Sequence, residues 1–255
     1  QHLTKGKITR ELLKLLQIKT IILSKEEDLK KLKKNIKFAK KNNVTIACLI
    51  KKNTFLNKKR LILKEKNEVL RADFIKELIR LFGNSGKIIS TTGFTSRELH
   101  QIRPSKYKGR DFYMVGGMGH SLSVAASYAL HSKKKVLCLD GDGSILMHLG
   151  SLRTAGSLNN SNFKHIILNN NAHESVGGQT TMANGIDFNK LSKSLGYKNF
   201  YQIRKKNQIK SILKKFIFSK GPSLIEVKIK QKALKNLSRP KNFQLIKKKF
   251  MNSYD

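Results

Sequence analysis

Two apolar stretches of the sequence each end in a cluster of small polar residues, and this pair of stretches limits the possible folds more than any other feature. The first is Val136–Asp140 (VLCLD), which leads into Gly141–Ser144 (GDGS), and the second is His165–Leu168 (HIIL), which leads into asparagines 169–171. The amphipathic residues 145–152 between them predict a helix. A strand, a helix and a strand in this order predict a right-handed crossover between parallel strands.

Short apolar stretches and helical patterns alternate along most of the chain. This alternation predicts an α/β fold with a mostly parallel sheet and helices on both faces. We predict strands at 18–23, 44–50, 87–90, 136–140, 165–168 and 223–229, and helices at 5–16, 24–41, 67–82, from 97, and at 122–130. The polar and basic residues 57–66 predict a linker between a partial α/β domain, residues 1–56, and a larger domain, residues 67–255, that ends in a basic tail.

If the strands at 136–140 and 165–168 are neighbours, Asp142 and Asn170 emerge side by side at the sheet edge where open α/β sheets bind ligands. A carboxylate and an amide oxygen suit Mg²⁺, which is commonly held by carboxylates together with substrate phosphates. Gly141 and Gly143 allow a phosphate to approach the backbone, and Ser144 can donate to it at the start of a helix. These residues predict a metal-bridged diphosphate site. The alternative is that two ordinary turns follow two strands.

The net charge of +37 suggests a nucleic-acid partner as a second class of function. However, the chain has 43 lysines and only 10 arginines, and the lysines are spread along its whole length. Arginine is the better residue for bidentate recognition of phosphates and bases. We therefore interpret most of the lysines as a solvated surface and expect no specific nucleic-acid partner.

No apolar run approaches the roughly 20 residues that a membrane-spanning helix needs, and residues 1–5 (QHLTK) do not resemble a signal peptide. Cys48 and Cys138 each lie inside an apolar run, which is typical of buried, reduced cysteines. We therefore expect a cytoplasmic protein with no membrane partner. The missing initiator methionine suggests that the chain is part of a longer protein.

Gly-Asp-Gly followed after a spacer by Asn-Asn resembles the signature of the thiamine-diphosphate enzymes. Within that family, the chain is similar to the phosphonopyruvate decarboxylases over nearly its whole length. The segments that carry this resemblance are STTGFTSRE at 90–98, GMGH at 117–120, GDGS at 141–144, MHLGSL at 147–152, NNNAHESVGGQ at 169–179, QH at 1–2, KGKIT at 5–9 and LSRP at 237–240. Asn171 stands where we expect glycine in the family, and Glu174 replaces an aspartate.

The resemblance implies which residues hold the cofactor, thiamine diphosphate, and Mg²⁺. Asp142 and Asn170 would be side-chain ligands of the metal, and Ala172 would offer its backbone oxygen. Met118 would be the apolar wedge that bends the cofactor, although ordinary core packing is the alternative for a methionine. The diphosphate would be held by Gly143 and Ser144, with the backbone of Gly117 and Gly141 close by, and by the Thr92–Ser96 turn, that is Thr92, Gly93, Thr95 and Ser96.

Three further residues are candidates for substrate recognition and catalysis. Arg97 could bind an anionic group of the substrate through two hydrogen bonds, and a structural or surface arginine is the alternative. His173, close to the asparagine cluster, could orient the substrate or move a proton. His120 is a weaker candidate, and hydrogen-bonded structural histidines are the alternative for both.

The resemblance implies decarboxylation of a small 2-oxo acid, phosphonopyruvate, to phosphonoacetaldehyde and CO₂, as in phosphonate biosynthesis. A sulfopyruvate decarboxylase or another 2-oxo acid decarboxylase is the alternative within the class, and a nucleic-acid-binding protein or an inactive fragment lies outside it. The family needs a glutamate from a pyrimidine-binding domain, of which residues 1–56 resemble the C-terminal remainder. Glu11, Glu26 and Glu27 lie in ordinary amphipathic segments, and none of them is a credible substitute for that glutamate. We therefore expect residues 1–255 to be inactive alone and to require a companion chain or a homo-oligomer with the missing part.

Overall fold

A computed structural model of the chain describes residues 2–55, 67–240 and 242–253. The chain divides into two compact units, residues 1–60 and 61–255. The predicted linker at 57–66 lies outside the described residues. None of the described helices is long and apolar enough to span a bilayer.

The described residues of the first unit, 2–55, form two helices and a two-stranded parallel sheet. Helix α1 (His2–Leu15) precedes strand β1 (Lys19–Leu23), and helix α2 (Asp28–Asn42) precedes strand β2 (Ile46–Ile50). The predicted order of elements is confirmed, but α2 begins four residues later than the predicted start at 24. The reason is that the carboxylate of Asp28 accepts hydrogen bonds from the backbone N–H of Ser24 and Lys25, which holds a turn before the helix.

The second unit is built on a six-stranded parallel sheet in the order β4-β3-β5-β6-β8-β7. The α/β prediction is therefore confirmed. Every residue of β3 and of β6 is buried, because helices cover both faces of the sheet. The strands are β3 (Gly86–Ser90), β4 (Phe112–Tyr113), β5 (Lys135–Gly141), β6 (Phe163–Asn169), β7 (Asn199–Ile203) and β8 (Ser223–Lys228).

Eight helices accompany these strands in the described part of the second unit. Residues 230–253, predicted as a basic tail, include the last of them, and Phe250 on it is buried between the rings of Phe112 and Tyr128. The helices are α3 (Arg71–Phe82), α4 (Phe94–Ile102), α5 (Ser121–His131), α6 (Asp142–Met147), α7 (Ser151–Ser157), α8 (Phe188–Ser194), α9 (Ile209–Phe218) and α10 (Phe243–Asn252).

In the second unit, two predicted helix starts and one predicted continuous helix were wrong. Helix α3 begins at Arg71 instead of residue 67, because the backbone of Val69 pairs with Ile229 beyond the end of β8. Helix α4 begins at Phe94 instead of residue 97, immediately after Gly93, whose φ of 86° turns the chain. The single helix predicted after Gly143 is two helices, α6 and α7, because residues 148–150 do not continue α6.

Candidate active site

The carboxyl ends of β3, β5 and β6 form the part of the sheet edge that carries the predicted site residues. Strands β5 and β6 are neighbours, and Gly141 lies opposite Leu168 in their register, so the turns that follow both strands start together. The order of strands reverses between β3 and β5, since β4 lies on the other side of β3. Open α/β sheets bind their ligands at such a reversal.

Asp142 and Asn170 lie next to each other at this edge. The hydroxyl of Thr181 donates to the carboxylate of Asp142, and the backbone N–H of Asn170 lies close enough to that carboxylate to help to lower its pKa. Asp142 is only 3% exposed. Burial raises the pKa of its carboxyl, and the polar groups of Thr181 and Asn170 offset part of the rise. A cation beside Asp142 would stabilise the ionised form.

The turn after β6 brings Ala172 to the same cluster. The side-chain oxygen of Asn170 accepts from the N–H of Ala172 at 3.1 Å, and Ala172 is buried. Asn171, between them, has a φ of 53°, in the left-handed region. Asparagine tolerates this conformation better than most residues with a Cβ, which explains how it can stand where we expected a glycine.

Ser144 connects three segments of the site. Its Oγ accepts hydrogen bonds from the hydroxyl of Thr91 at 2.9 Å and from the N–H of Gly119 at 3.1 Å. It therefore joins the first turn of α6 to the end of β3 and to the loop before α5. The predicted diphosphate residues Gly143 and Ser144 are both buried in that first turn.

The predicted Thr92–Ser96 turn lies at the start of α4. Thr95 and Ser96 are buried in the first turn of the helix, whereas Thr92 and Gly93 are partly exposed in front of it. A Cβ at Gly93 would lie 2.9 Å from the hydroxyl oxygen of Ser175, so this turn lies against the loop that follows the asparagines.

Met118 and His120 lie in the loop before α5, next to Gly117. Met118 is partly buried and packs in neither of the two hydrophobic cores. His120 is exposed, and its ring centroid lies 4.3 Å from that of His148. Sequence analysis gave no role to His148, although its ring closely approaches Gly119.

The two remaining candidates, Arg97 and His173, are both partly exposed. The imidazole of His173 lies against Gly143 and close enough to Asp142 to help to lower the pKa of that carboxyl. The guanidinium of Arg97 lies 5.6 Å from the ring centroid of Phe94. Partial burial lowers the pKa of Arg97, and the positive charge of Arg239 nearby lowers it further.

A buried ion-pair network, which the sequence does not reveal, lies beside these residues. The guanidinium of Arg71 contacts the carboxylate of Glu174 and lies 3.5 Å from that of Glu98. All three side chains are at least nine-tenths buried. Glu98 and Glu174 lie inside two of the segments that carry the resemblance, but Arg71 does not, and no local pattern distinguishes it from the other cationic residues of a chain with 53 lysines and arginines.

A sequence model of the C-terminal TPP-binding domain of thiamine pyrophosphate enzymes matches residues 91–227, more than half of the chain. This chain belongs to the thiamine pyrophosphate enzymes. Their cofactor, thiamine diphosphate, is the group that the site fits. Asp142, Asn170 and Ala172 offer three oxygen ligands of the kind that Mg²⁺ prefers. The buried Gly143 and the start of α4 offer backbone and hydroxyl donors for a diphosphate.

Two relatives of this thiamine pyrophosphate enzyme are named as decarboxylases. A phosphonopyruvate decarboxylase of Streptomyces viridochromogenes is 34% identical over 167 residues, which cover 66% of this chain and 41% of that protein. A sulfopyruvate decarboxylase subunit beta of Methanococcus maripaludis is 32% identical over 161 residues, 63% of this chain and 84% of that subunit. The chain therefore spans less than half the length of the first relative and most of the length of the second.

The fold is also similar to a solved structure. A putative thiamin diphosphate-dependent enzyme from Mycobacterium smegmatis superposes with a TM-score of 0.55 at 17% identity, over 69% of this chain and 35% of that one. At this identity the likeness concerns the fold alone. It agrees with the α/β architecture of the second unit.

Proposed function

We propose that this thiamine pyrophosphate enzyme decarboxylates a 2-oxo acid that carries a second anionic group. Phosphonopyruvate is the first candidate, with phosphonoacetaldehyde and CO₂ as products. The observation that carries the proposal is the pairing of Asp142 with Asn170 at the sheet edge, in a chain similar to a phosphonopyruvate decarboxylase. When bound, the thiazolium ring of the cofactor accepts the electrons that are released with CO₂.

In this proposal the described residues bind and orient the cofactor. The oxygens of Asp142, Asn170 and Ala172 would hold Mg²⁺, whose charge would compensate that of the diphosphate. Gly141, Gly143 and Ser144 bring backbone and hydroxyl donors to the same group, together with Thr92, Gly93, Thr95 and Ser96. Gly117 and Met118 lie in the loop before α5, and Met118 would offer an apolar surface to the cofactor.

Arg97 is the residue that we propose for the second anionic group. Its guanidinium is partly exposed, and Arg239 brings a second guanidinium into its neighbourhood. Two guanidinium groups favour a phosphonate or a sulfonate over a neutral group, because a guanidinium group binds such anions through charge-assisted hydrogen bonds. His173 is proposed to orient the substrate or to move a proton, and His120 has the same proposed role from the opposite loop.

Sulfopyruvate is the second candidate substrate, because it differs from phosphonopyruvate only in its anionic head group. The similarity to a sulfopyruvate decarboxylase subunit beta, of which the chain covers 84%, supports this candidate. Because that relative is named as one subunit, it also supports a companion chain. We propose that such a chain, or a homo-oligomer, supplies the pyrimidine-binding domain and its glutamate. Residues 1–56 would then be the remainder of a domain of that kind.

The test is to assay the chain with phosphonopyruvate, sulfopyruvate and pyruvate in the presence of Mg²⁺ and thiamine diphosphate, with and without the proposed pyrimidine-binding domain. We expect turnover only when that domain is present, and the lowest rate with pyruvate. Asp142→Ala should abolish Mg²⁺-dependent cofactor binding, whereas Asp73→Ala on α3 should not. Normal cofactor affinity in Asp142→Ala, or equal rates with pyruvate, would contradict the proposal.

A further inference from the structure

The side chain of Asn170, a proposed metal ligand, also contacts a buried group of charged residues. Its Nδ2 donates to Oε2 of Glu174 at 3.0 Å, and the same Oε2 accepts from Arg71. We call Arg71, Glu98 and Glu174 the Arg71 network. Arg71 is the first residue of α3, Glu98 lies on α4, and Glu174 follows β6. The network therefore ties two helices to the turn that carries Asn170.

A carboxylate can only accept hydrogen bonds, so Glu174 determines which way the amide of Asn170 faces. The NH₂ group must face Glu174, and Oδ1 is then on the opposite side of the amide. There Oδ1 accepts one hydrogen bond, from the N–H of Ala172. An amide oxygen has two lone pairs, so the second is available to a cation. With the amide reversed, two N–H donors would face the cation instead.

Arg71 holds the carboxylate of Glu174 beside the NH₂ group of Asn170. The side chain of Glu174 is 6% exposed, and the guanidinium of Arg71 compensates its charge in the interior. Arg71 is in turn placed between Glu174 and Glu98, and Oε1 of Glu98 accepts from the N–H of Leu234 at 2.8 Å. Each charged group of the network is thus held by a partner on a different segment.

We propose that Glu174 and Arg71 are positioning residues that keep Oδ1 of Asn170 directed to a divalent cation. Neither residue touches the cation in this proposal, and both act through the amide of Asn170. The inference rests on the proposed function, because that function makes Asn170 a metal ligand. It adds a requirement for Arg71, which lies outside all the motifs used to recognise the site, as the partner of Glu174, which lies inside one of them.

The test measures metal affinity directly, with Mn²⁺ as the probe. Free Mn²⁺ is measured by electron paramagnetic resonance while the full chain is titrated with Mn²⁺ at a fixed concentration of thiamine diphosphate. Glu174→Met removes the acceptor and should weaken Mn²⁺ binding by about 10- to 100-fold, the usual effect of losing a group that orients a metal ligand. Glu174→Gln keeps an oxygen in the same place and should recover most of this affinity.

A second pair of variants separates orientation from general damage to the fold. Arg71→Met should weaken Mn²⁺ binding in the same way as Glu174→Met. Arg80→Met is the matched control, because Arg80 is also on α3 and is paired with a glutamate, Glu77, away from the site. The unfolding midpoint without metal, measured for every variant, shows how much of each effect is structural.

The double variant Asn170→Asp, Glu174→Met is the decisive comparison. A carboxylate has oxygens on both sides, so the substituted side chain at position 170 would have no orientation to lose. The double variant should therefore bind Mn²⁺ more tightly than Glu174→Met alone. Equal Mn²⁺ affinity in Glu174→Met and wild type, or no recovery in the double variant, would overturn the inference while the proposed function stands. A wild-type chain that binds no Mn²⁺ with thiamine diphosphate would overturn both.

Discussion

Gly143 lies directly against the imidazole of His173. A Cβ at Gly143 would lie 2.6 Å from Cε1 and 2.8 Å from Nδ1 of that ring. Real Cβ atoms do not approach other atoms so closely, so a side chain at 143 must displace His173 or the first turn of α6. We expect Gly143→Ala to weaken Mg²⁺-dependent binding of thiamine diphosphate at least about tenfold, a loss of ~1.4 kcal/mol. Equilibrium dialysis against the cofactor at fixed Mg²⁺ measures this.

Gly150→Ala is the matched control for that variant. No atom lies within 4 Å of the place where a Cβ at Gly150 would stand, and this residue lies shortly after α6, immediately before α7. Its cofactor affinity should equal that of wild type. Unchanged affinity in Gly143→Ala would show that neither the position of His173 nor the backbone at 143 contributes to binding.

Ser144→Ala should destabilise the second unit. Two buried donors, the hydroxyl of Thr91 and the N–H of Gly119, lose their acceptor in this variant. Leaving one buried donor unpaired costs about 1–3 kcal/mol, so with two such donors we expect the free energy of unfolding in urea to fall by at least about 1–3 kcal/mol. The control is Ser194→Ala, whose exposed hydroxyl donates to the carbonyl of Leu191. A loss in Ser144→Ala no larger than in the control would contradict the expectation.

The sheet was predictable where strands are buried on both faces. The apolar stretches that end at Asp140 and Leu168 have no polar face, and this pattern is typical of central parallel strands. Strand β7 (NFYQI) was missed because it lies at the edge of the sheet and four of its five residues are only partly buried. The start of α3 was misplaced because Val69 pairs with Ile229, 160 positions away, and local periodicity cannot reveal such a contact.

The site was predictable only in part, for a related reason. Asp142 and Asn170 follow neighbouring strands, so their closeness follows from topology. Arg71 and Glu174 are 103 positions apart, and they meet only because α3 packs beside the sheet edge. Cys138 was correctly predicted to be buried, but Cys48 is only partly buried. The side chain of Cys138 also lies beside Asp140 and His165, a polar setting that the apolar run conceals.

Lys164 should make stability depend on pH. Its side chain is buried in β6, and its amino group donates to the carbonyls of Ser161 at 2.9 Å and Gly221 at 2.8 Å. Burial lowers the pKa of Lys164 to about 8, and the charge of Lys135 adds to this. Above that pH the unfolded chain binds the proton more readily than the folded chain, so folding becomes more favourable as pH rises.

The measurement compares wild type with Lys164→Met in urea unfolding at pH 7, 8 and 9. Relative to the variant, wild type should gain stability with rising pH, by at most about 1.4 kcal/mol per pH unit. Lys190→Met removes an exposed amino group on α8 and is the matched control. Its difference from wild type should stay within about 0.5 kcal/mol throughout. If the free energy of unfolding changes equally with pH in wild type and in Lys164→Met, the prediction is wrong.

Removing one partner of the ion pair between Arg103 and Asp111 should be among the most destabilising single changes in the second unit. Nε of Arg103 lies 2.8 Å from Oδ2 of Asp111, and both side chains are almost fully buried. Arg103→Met leaves the carboxylate without its cation, and removing one partner of a buried pair costs about 3–5 kcal/mol. Urea unfolding at pH 8 measures this loss against Arg153→Met, which removes an exposed arginine and should cost far less.

The same variant carries a test of cause. Burial already raises the pKa of Asp111 to about 6, although Arg103 opposes the rise. In Arg103→Met the pKa of Asp111 should rise further, because the substitution removes the charge that lowers this pKa and leaves the burial that raises it. Protonation then relieves the unpaired charge, so the deficit of Arg103→Met should be smaller at pH 5 than at pH 8. A deficit that is the same at both pH values would mean that lost packing, rather than lost charge compensation, destabilises the variant.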